Sequence, residues 1–128
     1  MIRNIRDLTL RFGDWGPGYL VENEDAAFGA VTLRPGDTFA NHFHEHHTES
    51  FFVIEGEAEL WLDRATVQRL SDGDFVQCTP QVQHYLRNVS DAPFTAFFIK
   101  SPGISGDKVD APWEPEREVP AAPAATQE

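Results

Sequence analysis

Gly36-Asp37-Thr38-Phe39-Ala40-Asn41-His42-Phe43-His44-Glu45-His46-His47-Thr48-Glu49-Ser50-Phe51-Phe52-Val53-Ile54-Glu55-Gly56 is the stretch on which the reading of this chain turns. Alternate side chains of an extended strand share a face, so His42 and His44 place two imidazoles on one side of a sheet, and Glu49 comes in from the next turn or strand. Two imidazole nitrogens and a carboxylate oxygen make a ligand set for a metal ion. Farther along, Gly73 is followed by His84 and Asn88, and His84 offers a third imidazole if the fold returns it to the first two.

Outward from this stretch, short apolar or alternating runs recur over 28–33, 38–44, 50–54, 58–62, 67–70, 74–79, 84–88 and 94–99. Turn chemistry separates them at Arg34-Pro35-Gly36, Glu55-Gly56-Glu57, Ser71-Asp72-Gly73-Asp74 and Ser90-Asp91-Ala92-Pro93. Many short strands at this spacing make an all-β sandwich or barrel, and neither an amphipathic helix nor a repeat is visible. Trp15-Gly16-Pro17-Gly18-Tyr19 reads as a turn-rich lead-in that wraps an edge of the sheet. Four of the nine prolines lie beyond Asp110, and proline withholds a ladder donor, so that end reads as a tail. Trp113 is expected to anchor part of it on the barrel or on a partner subunit, with little order beyond Val119. The expected division is an N-terminal segment over 1–27, a β-barrel over 28–109 and a Pro/Ala-rich tail over 110–128.

A chain of 128 residues fits one domain. Its 41% hydrophobic and 12% aromatic content supplies a single core and argues against disorder. No apolar run is long enough to cross a bilayer and Met1 to Arg6 lacks the apolar stretch of a signal peptide, so a cytoplasmic protein is expected. A formal net charge of −11 and a pI near 4.7 argue against nucleic acid or an anionic membrane as partner, since both present phosphates. An anionic group on a substrate must then be captured locally, by the metal or by a single Arg or Lys. The lone cysteine, Cys78, has no internal partner and sits in an apolar run, which suits a packed small side chain.

The stretch quoted first fits the first cupin motif, G(X)5HXH(X)3,4E(X)6G, at Gly36, His42, His44, Glu49 and Gly56, and the chain resembles the cupin superfamily there. The second motif, G(X)5PXG(X)2H(X)3N, is matched at Gly73, His84 and Asn88. Its proline position holds Thr79, with Pro80 one residue late, and its central glycine position holds Gln81, so the departures concern the turn before His84. The resemblance implies a single cupin domain, an antiparallel β-barrel or jelly-roll sandwich, with His42, His44, Glu49 and His84 on one divalent transition metal (Mn, Fe, Ni, Zn or Co). Its breadth runs from dioxygenases and decarboxylases to isomerases, small lyases and non-catalytic binding proteins.

Moving the ligand pair to His44 and His46 breaks both family gaps, so His46 and His47 read as loop residues at the barrel mouth, available for proton transfer. Glu45, Glu55, Glu57 and Glu59 read as solvated carboxylates. Parity puts Phe51, Val53 and Leu86 on the ligand face as an aromatic and aliphatic pocket wall, with Gln83 and Tyr85 pointing away. Phe52 and Ile54 face outward, and a strand apolar on both faces is covered by another sheet or subunit, which points to a homodimer. Three imidazoles and one carboxylate leave two positions open on a six-coordinate ion. The favoured expectation is a metal-dependent isomerase, epimerase or lyase on a small oxygenated substrate, a sugar or a hydroxy or keto acid. A non-haem iron dioxygenase or oxidase and a non-catalytic accessory module are the alternatives.

Overall fold

Residues 1–115 are those described by the computed structural model. After one turn of 3-10 helix at Ile5–Asp7 come β1 (Gly16–Glu22), β2 (Ala27–Leu33), β3 (Thr38–His44), β4 (Thr48–Glu55) and β5 (Ala58–Leu62). They are followed by β6 (Thr66–Leu70), β7 (Phe75–Cys78), β8 (His84–Arg87), β9 (Phe94–Ser101) and β10 (Lys108–Asp110). Two five-stranded antiparallel sheets result, in the orders β1-β2-β9-β4-β7 and β10-β3-β8-β5-β6. The all-β jelly-roll expected from the sequence is the fold observed.

Strand alternation explains the packing. Leu33, Val31, Phe94, Ala96, Phe98, Phe51 and Val53 occupy the inward positions of β2, β9 and β4 and are buried together with Leu60 and Leu86 of the facing sheet. The segment read as a turn-rich lead-in forms β1. It is an edge strand of its sheet, which is where the missing N–H of Pro17 is tolerated. Trp113 lies against Trp61 and Tyr85, with ring centroids 5.9 and 6.1 Å away, and so covers the outer side of the second sheet. For that reason Tyr85 is buried although its parity points it away from the core. The order expected to fall off beyond Val119 concerns positions outside the described residues.

The remaining motif residues shape the turns. Gly56 has a φ of 95°, and a Cβ there would run into the Pro93 carbonyl. Asn88 is fully buried: its Nδ2 donates to the carbonyls of Leu33 and Ala92, and its Oδ1 accepts from the Ser90 N–H and hydroxyl. It ties β8 to the neighbouring turn.

Candidate functional site

His42 and His44 of β3, Glu49 of β4 and His84 of β8 meet between the sheets, all four buried, with one ligand atom of each within 4.8 Å of all the others. Glu49 Oε1 lies 2.8 Å from His44 Nε2, 3.0 Å from His84 Nε2 and 3.8 Å from His42 Nε2. Two of the rings are held from behind. His42 Nδ1 donates to the Ala40 carbonyl at 2.7 Å, and His84 Nδ1 donates to the Val82 carbonyl at 3.1 Å. A carbonyl only accepts, so both Nδ1 atoms carry a proton and both Nε2 atoms face Glu49.

A bulge makes this possible. β3 pairs with β8 at Phe39↔Leu86 and again at His42↔His84, three residues on one strand against two on the other. The extra residue turns His42 inward directly opposite His84. Asn41 turns outward, where its Nδ2 donates to Gln83 Oε1 and to the Ala111 carbonyl.

A carboxylate oxygen ringed by imidazole nitrogens calls for positive charge among them. Burial by itself would raise the Glu49 carboxyl, but the close His42 imidazole and the hydrogen bonds from His44 and His84 hold it well below the usual range. For His84 burial acts downward and is outweighed by the Cys78 sulfur and the Glu49 carboxylate, so the imidazole is raised to about 10. His42 is lowered, by burial first, against the pull of Glu49. Three nitrogens and one anionic oxygen converging in a buried space are a donor set that suits a divalent transition ion.

A cavity of about 580 Å³ opens against this cluster, and its lining includes His44, His47, Tyr19, Lys100 and Asp107. His47 is only 4% exposed, its ring centroid is 4.1 Å from that of His44, and neither ring nitrogen has a hydrogen-bond partner. Burial, with His44 and Lys100 nearby, pushes it down to about 4 against the opposing pull of Asp107. His46 behaves differently: it is exposed, donates through Nδ1 to Asp107 Oδ1 at 2.8 Å, and is not among the residues lining the cavity.

Asp107 was not foreseen from the sequence. Its carboxylate accepts from the backbone N–H groups of His46 and His47, each at 2.9 Å, and thereby clamps the turn between β3 and β4. Burial would raise it, yet these N–H groups and the His46 ring hold it down at about 2. Lying sixty residues away in sequence, it carries no motif that would have marked it.

The expected pocket wall differs from the observed lining. Phe51 lies under the cluster, its ring centroid 6.1 Å from that of His84, while Val53 and Leu86 sit farther along their strands in the packed core. None of the three lines the cavity, whose wall near His44 is polar because the chain from Gly103 to Lys108 and the end of β1 close over it. Of the carboxylates read as solvated, Glu45, Glu55 and Glu57 are exposed, and Glu59 accepts from Arg87 at 2.9 Å. Cys78 is a buried side chain cross-strand from Glu49.

The family description "Cupin domain" matches residues 29–100. The chain is 35% identical over 68 residues to the quercetin 2,3-dioxygenase of Bacillus subtilis, covering 52% of this chain and 20% of that protein. It is 31% identical over 74 residues to the polyketide synthase CurC of Streptomyces cyaneus, covering 58% of this chain and 47% of that one. It therefore spans half or less of the length of these relatives. A conserved protein with a double-stranded beta-helix domain from Klebsiella pneumoniae superposes with a TM-score of 0.76 at 27% identity, over 86% of this chain and 96% of the other.

Proposed function

This chain belongs to the cupin family through residues 29–100, and from that premise we propose that His42, His44, Glu49 and His84 hold one divalent transition metal ion in a metal-dependent isomerase, epimerase or lyase. Its substrate is a small oxygenated molecule, a sugar or a hydroxy or keto acid. The observation that carries this reading is His47, a buried imidazole on the wall of the cavity that opens against His44, with Nδ1 3.3 Å from the Asp107 carboxylate and no protein hydrogen bond at Nε2. An ion in the cluster would supply Lewis-acid polarisation of a bound carbonyl or hydroxyl. Mn, Fe, Co, Ni and Zn all accept such an N/O set.

His47 supplies the proton chemistry. Held neutral at pH 7 by burial, it presents an unprotonated ring nitrogen to a substrate in the cavity, and a nitrogen with that low basicity gives the proton back readily. Isomerisation and epimerisation need that pair of events, removal at one carbon and return at the same or the adjacent one. Asp107 fixes the turn that carries His47 through the backbone and stands 3.3 Å from its Nδ1, which leaves Nε2 for the cavity.

A dioxygenase is the second reading, favoured by the 35% identity to the Bacillus subtilis quercetin 2,3-dioxygenase. Assay of the metal-loaded protein on sugars, hydroxy acids and keto acids, by NMR under strict anaerobiosis and in air, separates the two. Product without oxygen supports the first reading. Strictly oxygen-dependent consumption overturns it in favour of the second, and tight binding without product in either atmosphere overturns both in favour of an accessory module.

The outer face of the first sheet supports a homodimer. Phe52, Phe75 and Ile54 are 49%, 57% and 40% exposed, and Phe97, Phe52 and Phe75 form one cross-strand row. A second copy seated on that row would remove an apolar face from water. No described helix is long and apolar enough to cross a membrane.

A further inference from the structure

In a chain with a formal net charge of −11, a lysine directed toward the cavity without a carboxylate partner is out of keeping with its surroundings. Lys100 of β9 is the cross-strand neighbour of Glu49 on one side and of Ala27 on the other, so its side chain leaves the strand on the same inner face as Glu49. The ammonium is held in place by aromatic groups. Its Nζ donates to the Tyr19 hydroxyl at 2.7 Å and stands 5.2 and 5.4 Å from the ring centroids of Tyr19 and Phe98. Those two rings meet edge to face at 5.2 Å over Gly29, the residue paired with both. A Cβ at Gly29 would run into the Gly18 carbonyl and come within 2.6 Å of Phe98 Cζ, so glycine is what lets β1 and this ring both approach.

The donors that remain point to an anion. Lys100 has used one of its three N–H groups on Tyr19, and the Tyr19 oxygen, having accepted, keeps its own proton to give. Among the described residues neither group has another hydrogen-bond partner. The cavity lining also holds Asp107, Glu22 and Glu24. Asp107 is taken up by His46 and His47, and neither glutamate forms an ion pair with Lys100. The other cations on the lining are Lys108, paired with Asp110 at 3.6 Å, and Arg11, which forms no ion pair among the described residues and is not part of the Tyr19–Phe98 platform.

We propose that the Lys100 ammonium and the Tyr19 hydroxyl bind the carboxylate of a small acid, setting its neighbouring oxygenated carbon beside His44 and His47, so that the site takes hydroxy or keto acids in preference to neutral sugars. This narrows the proposed function to its acid branch and rests on that reading for the role of the adjacent cluster.

Lactate and propane-1,2-diol test it, because they share a carbon skeleton and one hydroxyl and differ in the carboxylate. Isothermal titration of the full-length protein loaded with Zn2+, and of the same protein without added metal, gives the two affinities. The loaded wild type is expected to bind lactate about tenfold or more tighter than the diol, the worth of a charge-assisted hydrogen bond in a partly buried site. Lys100→Met should remove that preference with diol affinity unchanged, Lys100→Arg should retain part of it, and Tyr19→Phe should weaken it while keeping the ring under the ammonium.

Each alternative result is decisive. A wild type with no preference for lactate, a Lys100→Met protein that keeps it, or a parallel loss of lactate and diol affinity overturns the assignment. If Lys100→Met fails to fold, Tyr19→Phe and Lys100→Arg decide, and unchanged lactate affinity in both overturns it. Failure of the metal reading shows separately, as wild-type protein that takes up no Zn2+. The lactate preference of the protein without added metal then decides the role of Lys100 alone.

Discussion

Replacing Gln81 by glycine should stabilise this protein. Gln81 has a φ of 76°, a left-handed backbone conformation, in the turn that delivers His84, and its N–H donates to the His44 carbonyl at 2.8 Å. The side chain is exposed and makes no hydrogen bond among the described residues, so glycine removes no contact of that kind and keeps the backbone bond. An L-residue in the left-handed region costs about 1–2 kcal/mol, which glycine escapes. Against this, glycine makes the unfolded chain more flexible, at a cost of about 0.4–1 kcal/mol. The net gain lies between about 0 and 1.6 kcal/mol, centred near 0.8 kcal/mol, or roughly 3 °C in Tm for a domain of this size. Urea unfolding at equilibrium and a thermal melt followed by circular dichroism measure it, with Gln81→Val as the opposing control, since a β-branched residue tolerates that φ less well. A glycine variant less stable than wild type, or a valine variant equal to it, would refute the strain argument.

Alanine at His42, His44, Glu49 or His84 should each lower bound metal sharply by elemental analysis, while His46→Ala leaves the stoichiometry unchanged; full metal in His84→Ala protein would remove that residue from the set. Added Zn2+ should raise the Tm of wild type and not of those four variants, because a ligand that binds only the native state stabilises it. Light scattering should give about twice the 14.4 kDa chain mass, and Phe52→Lys should return it to the monomer value, whereas a wild-type monomer at micromolar concentration contradicts the interface. Asp107, held at about 2 in the folded protein against an ordinary 3.8, contributes stability that is fully present above that ordinary value and is lost as pH falls from there through about 2. Asp107→Asn should therefore cost roughly 1–3 kcal/mol at pH 7 and flatten the acid limb of the stability curve; an unchanged acid limb would show that the clamp contributes nothing.

What could be read from the sequence and what could not divide along a physical line. His42, His44 and Glu49 were legible because strand periodicity is local: a fixed spacing within one hairpin sets which side chains share a face. His84 was legible by its spacing from Gly73, although the glycine position of that motif is filled by Gln81, and the structure shows why the turn survives, since glutamine adopts the glycine-like φ. The bulge at Ala40 and Asn41 was invisible because neither residue is a glycine or otherwise marks an irregularity. β1 was mistaken for a lead-in because Gly16, Pro17 and Gly18 are poor strand formers, and pairing with β2 along an edge overrides that propensity. Asp107 and Tyr19 reach the cavity through contacts made only when distant strands come together, and nothing near them in sequence announces it. Lys100 is the instructive case, because its signal was present. Phe94, Ala96 and Phe98 hold the inward parity of β9, and Lys100 is next in that register. A charged residue continuing an inward apolar register has to reach solvent, find a countercharge or serve a site. In this fold its ammonium meets the Tyr19 hydroxyl on the wall of a cavity, so the charge that breaks the apolar register is placed where a ligand can reach it.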